Sequence, residues 1–83
     1  MPEITRFNGI VIRINYREHN PPHFHAKYGD LSAAFDIRTL EILEGYLPSK
    51  ETALVLEWAE PNKEALLKMW NDKKVVQLPP LRK

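Results

Sequence analysis

Apolar and polar residues alternate along the first half of the chain and recur at helical spacing along the second. Phe7-Asn8-Gly9-Ile10 sets Asn-Gly between two runs rich in β-branched and aromatic residues. Both turn residues tolerate positive φ, so a tight hairpin is predicted there. In the second run Ile10, Ile12, Ile14 and Tyr16 share one face, and Val11, Arg13 and Asn15 share the other. Residues 17–22 read as a loop, because Pro21-Pro22 lacks two amide donors and does not fit a central strand.

A second hairpin is predicted around Gly29-Asp30, between runs 23–28 and 31–37. Glycine at the first turn position suits a type II′ turn. A two-residue loop then pairs Tyr28 with Leu31, Ala26 with Ala33 and Phe24 with Phe35, all on one apolar face. The other face pairs Lys27 with Ser32, His25 with Ala34 and His23 with Asp36. A one-residue slip would mix the two sets, so the pattern specifies the register. A further strand is expected over about residues 41–46.

Beyond Pro48 the period changes. Ser49 is expected to cap a helix, with Glu51 in its first turn, where a carboxylate favours the dipole. Leu54, Val55, Trp58, Ala65, Leu66 and Met69 form one apolar stripe, and the two tryptophans, Trp58 and Trp70, are expected as core anchors. Pro61 interrupts the stripe, and a proline inside a helix costs about 3 kcal/mol unless the chain kinks. Two short helices or one bent helix therefore span about Lys50 to Asp72. Residues 75–81 are expected to add a short edge strand and then run extended.

These elements predict one α+β domain over residues 1–83. Residues 1–47 form an antiparallel meander sheet of four to five strands. A bent helix or helical hairpin over 49–73 covers one face, and 74–83 form an extended tail. The uncovered face carries Arg6, Arg13, Asn15, His23, His25, Lys27, Ser32 and Asp36, and function is expected there.

Composition narrows the field. A chain of 83 residues buries only about 60–65% of its unfolded surface, enough for one core. Twelve basic and eleven acidic residues leave a net charge of +1, so bulk electrostatics points to neither nucleic acid nor membrane. With no cysteine, disulfides and thiolate metal sites are excluded. The opening Met1-Pro2-Glu3-Ile4-Thr5-Arg6 lacks an apolar run behind a basic end, and Ala53-Leu54-Val55-Leu56 is far short of a membrane span. A cytoplasmic protein is expected.

The distinctive chemistry lies in His19-Asn20-Pro21-Pro22-His23-Phe24-His25, which holds all three histidines. His23 and His25, two apart on a strand, face the same way with Cα atoms roughly 6.5–7 Å apart, and two such imidazoles can grip one zinc or nickel ion. His19 can join them if the chain bends at Asn20-Pro21. Asp36, opposite His23, is a candidate fourth ligand or an acceptor fixing the ring tautomer. The expected metal set is thus His19, His23, His25 and Asp36. The same face offers His23 and His25 as general acid and base, with Arg13 and Lys27 to hold a phosphate, as in a hydrolase or ribonuclease. The bland alternative is a His23–Asp36 hydrogen bond with solvated neighbours.

Ile4-Thr5-Arg6-Phe7-Asn8-Gly9-Ile10-Val11-Ile12-Arg13, the histidine segment through Gly29, Leu43-Glu44-Gly45-Tyr46-Leu47-Pro48 and the helix bearing Trp58 and Trp70 together resemble the prokaryotic family called domain of unknown function 4160. One departure is Leu40, where similar members often carry glycine. The resemblance implies no activity. It implies a tiny protein encoded beside, or fused to, another small domain, in a two-gene, toxin–antitoxin-like arrangement. The leading expectation is therefore a partner-binding component of such a module, with a small protein or a second copy as partner. The alternative is a metal-binding or histidine-based hydrolase or ribonuclease built on His19, His23 and His25, with RNA as the substrate and no membrane involved.

Overall fold

A computed structural model describes residues 3–82. Met1 and Pro2, which open the segment read as lacking a leader, and Lys83, at the end of the tail, lie outside the described residues. The strands are β1 (Glu3–Phe7), β2 (Ile10–Arg13), β3 (His23–Tyr28), β4 (Leu31–Asp36) and β5 (Ile42–Gly45). They form one antiparallel sheet in the order β1-β2-β3-β4-β5. The α+β expectation is met, with five strands.

Local sequence accounts for the turns. Asn8 and Gly9 both take positive φ, 50° and 79°, the conformation a two-residue hairpin turn between β1 and β2 requires. The β3–β4 register pairs His23 with Asp36, Phe24 with Phe35, His25 with Ala34 and Tyr28 with Leu31, as the alternation predicts. Only this register buries the apolar set on one side. Phe24 and Phe35 stack with ring centroids 5.3 Å apart and are fully buried. Full burial of such a side chain contributes about 1.5–3 kcal/mol.

The sheet's apolar face is covered by a helical run. Helix α1 (Ser49–Ala59) leads through a 3-10 turn (Glu60–Asn62) into α2 (Lys63–Asp72). Pro48, not Ser49, occupies the cap position, and Ser49 is the first helical residue. Thr52 Oγ1 instead donates to the Leu47 carbonyl at 3.2 Å and ties down the start. Pro61 sits at the beginning of the 3-10 turn, where its missing N–H costs least. The Asn62 side-chain amide donates to the Trp58 carbonyl at 2.7 Å, satisfying an acceptor the tighter turn leaves free. Ala59 and Glu60 remain right-handed, so the run continues rather than reversing into a hairpin.

Trp58 packs against Phe7 and Phe24, each with a centroid 6.0 Å away. Val55, Ala59, Leu66 and Met69 complete the buried side of the helices. The tail adds no strand among the described residues. It runs extended, held by Leu78 N–H on the Ile4 carbonyl at 3.1 Å and Trp58 Nε1–H on the Pro79 carbonyl at 2.9 Å. No helix among the described residues is long and apolar enough to cross a membrane.

Candidate metal centre

The second half of the β2–β3 connection is folded back onto the open face by a turn at its start. Glu18 N–H donates to the Asn15 carbonyl at 3.1 Å, and Arg17 N–H donates to Asn15 Oδ1 at 3.2 Å. An asparagine at the first position of a turn holds its own backbone two residues on in this way. The turn aims Glu18 at β3. The chain then passes through Pro21, whose peptide bond with Asn20 is cis, and enters the strand at His23.

Three ligand-type side chains meet there. Glu18 Oε1 lies 3.0 Å from His23 Nε2 and 2.7 Å from His25 Nε2. The potential ligand atoms of Glu18, His23 and His25 all lie within 4.8 Å of one another. The side chains of His23 and His25 are 12% and 26% exposed and that of Glu18 is 39% exposed, so the group opens to solvent on the carboxylate side. The two imidazoles meet edge to face, centroids 5.1 Å apart. His23 also lies against the buried indole of Trp70, again at 5.1 Å.

The protons can be placed. His23 Nδ1 lies 2.8 Å from the Pro21 carbonyl. A carbonyl only accepts, so Nδ1 carries the hydrogen, and in the neutral ring Nε2 presents a lone pair. That lone pair faces Glu18 Oε1. His25, hydrogen-bonded to the same carboxyl, holds Glu18 below its ordinary range; partial burial opposes this, and His23 adds to it. Glu18 is therefore an acceptor opposite an acceptor, unless a cation lies between them or His23 takes a second proton.

The donor set fits a transition metal. Bond lengths of about 2.0–2.2 Å at a tetrahedral angle put neighbouring ligand atoms roughly 3.3–3.6 Å apart. The observed N···O separations, 3.0 and 2.7 Å, are hydrogen-bond distances that a bound ion would widen by about 0.3–0.9 Å through rotamer adjustment. The Nδ1–H to carbonyl bond of His23 is the outer contact that commonly orients a ligating imidazole.

Of the residues expected from sequence, the structure brings together His23 and His25. His19 is exposed and lines a neighbouring hollow with Asn20, Pro21, His23, Ala34, Leu43 and Glu44. Asp36 faces His23 across the strands, but its Oδ1 accepts from the N–H groups of Arg38 and Thr39 at 2.7 and 3.0 Å and shapes the following turn. Neither His19 nor Asp36 belongs to the Glu18–His23–His25 group. Arg13 is the cross-strand neighbour of His25, and its buried Nε has no hydrogen-bond partner among the described residues. Lys27 is exposed and lies two residues along β3. Glu18 is the member the spacing argument missed. Its signal was Asn15 three residues before it, a turn former placed to return the loop over the sheet.

The family described as Domain of unknown function (DUF4160) matches residues 9–71, a span that includes the whole triad. No curated protein and no solved structure matches the chain.

Proposed function

The chain belongs to that family, whose description carries no activity, and we propose that Glu18, His23 and His25 bind a divalent transition metal such as zinc or nickel, leaving one coordination position open. The observation that carries this reading is the tautomer of His23: Nδ1 is committed to the Pro21 carbonyl, so Nε2 is aimed at Glu18 as a ligand is aimed at an ion. Three protein ligands with a solvent-facing fourth position are the arrangement of catalytic rather than structural zinc. A metal held there supplies a Lewis acid and an activated water, the chemistry of metal-assisted hydrolysis. His23 and His25 remain the candidates for this chemistry in a hydrolase. The cysteine-free sequence supports a reducing, cytoplasmic setting.

Untagged protein, dialysed against zinc and analysed for metal, tests the proposal. One ion per chain is expected, with affinity lowered at least tenfold in Glu18→Gln, His23→Ala and His25→Ala. His19→Ala and Asp36→Asn should retain it, which separates the folded geometry from the sequence spacing. Equal uptake by wild type and a His23→Ala/His25→Ala double variant would overturn the reading.

A second reading, a partner-binding component of a two-gene module, is supported by Ile42, Leu43 and Tyr46. These are 41%, 46% and 63% exposed on and beside the edge strand β5. The partner would be the neighbouring gene product. Co-purification lost in Ile42→Ser/Tyr46→Ser supports it, and co-purification unaffected by that change counts against it.

A further inference from the structure

A trough runs along the open face beside the triad. Its floor is Ala34, which is only 6% exposed although it lies on the uncovered side of the sheet. One wall is β3 with His23 and His25, and the other is β5 with Glu44, the cross-strand partner of Ala34. Two hollows of about 390 and 310 Å³ share Ala34 and Glu44. The first continues to Ser32 and Gly45, and the second to Leu43, Pro21 and His19. From Ser32 to Asp36 the floor is about 13 Å long, and the backbones of β3 and β5 are about 10 Å apart. These are the dimensions of four residues of extended chain.

The β5 wall is built by an irregularity. Ala34 pairs with Glu44 but Phe35 pairs with Ile42, so Leu43 is an extra residue in the strand. Bulges re-aim side chains and are over-represented beside functional sites. Here the bulge brings Leu43 and Glu44 to the same hollow as His23. Leu43 is left 46% exposed, and Glu44 has no hydrogen bond or ion pair among the described residues. Gly45 makes the close approach possible, because a side chain there would run into the backbone of Ser32 and Ala33.

We propose that this trough binds an extended peptide segment with a cationic side chain, the cation on Glu44, an apolar side chain against Leu43 and a backbone carbonyl at the triad. The proposal rests on the metal reading above and names the ligand class of that site. With a divalent ion the triad carries net +1, since Glu18 contributes −1, and Glu44 across the trough carries −1. Such a polarised channel suits a neutral carbonyl on one side and an ammonium or guanidinium on the other. The Glu44 wall opposes a phosphodiester, and Arg13 and Lys27, the nearby cations, stand on β2 and β3 rather than on the β5 wall.

The experiment uses the full chain loaded with zinc and two capped tetrapeptides, Ac-Ala-Lys-Leu-Ala-NH2 and its counterpart with Glu in place of Lys, with an adenine dinucleotide as a third probe. Titration calorimetry should show the lysine peptide binding at least tenfold tighter than the glutamate peptide. Glu44→Gln should bring the two within about twofold. Ala34→Leu, which fills the floor, should abolish peptide binding while zinc uptake is retained. Absence of zinc uptake by wild type removes the metal reading and this proposal with it. Zinc uptake without a lysine preference, without peptide binding, or with binding undiminished in Ala34→Leu overturns the trough proposal alone. Tighter binding of the dinucleotide than of either peptide also overturns it and restores RNA as the ligand.

Discussion

Replacing Gly45 by alanine tests whether β5 is held as closely against β4 as the trough requires. Gly45 has φ +86°, and a Cβ there would collide with the Ser32 carbonyl oxygen and lie 2.9 Å from Ala33 Cα. Both neighbours are backbone, so no side chain can rotate away. The left-handed conformation alone costs a non-glycine residue about 1–2 kcal/mol, and forced overpacking adds about 1–3 kcal/mol. The expected loss is therefore about 2–5 kcal/mol, a large part of the roughly 4–12 kcal/mol that a chain of this length has in all. Gly29→Ala is the control. Gly29 also has positive φ, +59°, but nothing lies within 4 Å of a Cβ built there. Only the conformational cost of about 1–2 kcal/mol applies. Urea unfolding followed by tryptophan fluorescence measures both variants, and at about 1 kcal/mol per molar urea their midpoints should differ by roughly 1–3 M. If Gly45→Ala is no less stable than Gly29→Ala, β5 is not packed as described, and the wall carrying Glu44 is misplaced.

Three further outcomes are expected. Glu18→Gln should be less stable than wild type at neutral pH by under about 1 kcal/mol, since the carboxylate is partly exposed. Its carboxyl is lowered from an ordinary value of 4.5, chiefly by the hydrogen bond with His25, so this stabilisation is present above that value and lost as pH falls through the lower folded-state value; the urea midpoints of the two proteins should converge once pH is below that value, and a gap that persists there would refute the assignment. Arg13→Met should raise the urea midpoint by the equivalent of under about 2 kcal/mol, because it removes a buried Nε–H that has no acceptor among the described residues, offset in part by the lost attraction of the guanidinium for Glu3; a fall in stability would mean that the guanidinium's attractions outweigh the orphaned group. Nickel should quench emission from Trp70, whose ring centroid is 5.1 Å from that of His23, and the quenching should vanish in His23→Ala; undiminished quenching in that variant would refute metal binding at His23.

The strands, the two hairpin turns and the β3–β4 register follow from short-range rules, and the sequence determined them by itself. Alternation sorts residues to faces, and Asn8-Gly9 and Gly29-Asp30 accept the dihedrals that tight turns need. His23 and His25 share a face for the same reason, which made that half of the site readable. The tertiary structure decided the rest. Glu18 joins the histidines only because the turn at Asn15 folds a loop over a neighbouring strand, a contact no periodicity encodes. Asp36 is drawn away by two backbone N–H groups of its own turn, which sit closer in sequence than the histidine across the sheet. Leu40 takes a left-handed φ of 63°, which a leucine does not announce, and its side chain packs against the core. Trp70 reaches His23, and Leu43 bulges beside Ala34, through packing between distant segments. Local preferences set which way each side chain points along its own element; which side chains meet depends on how loops close and elements dock, and those energies are summed over the whole core.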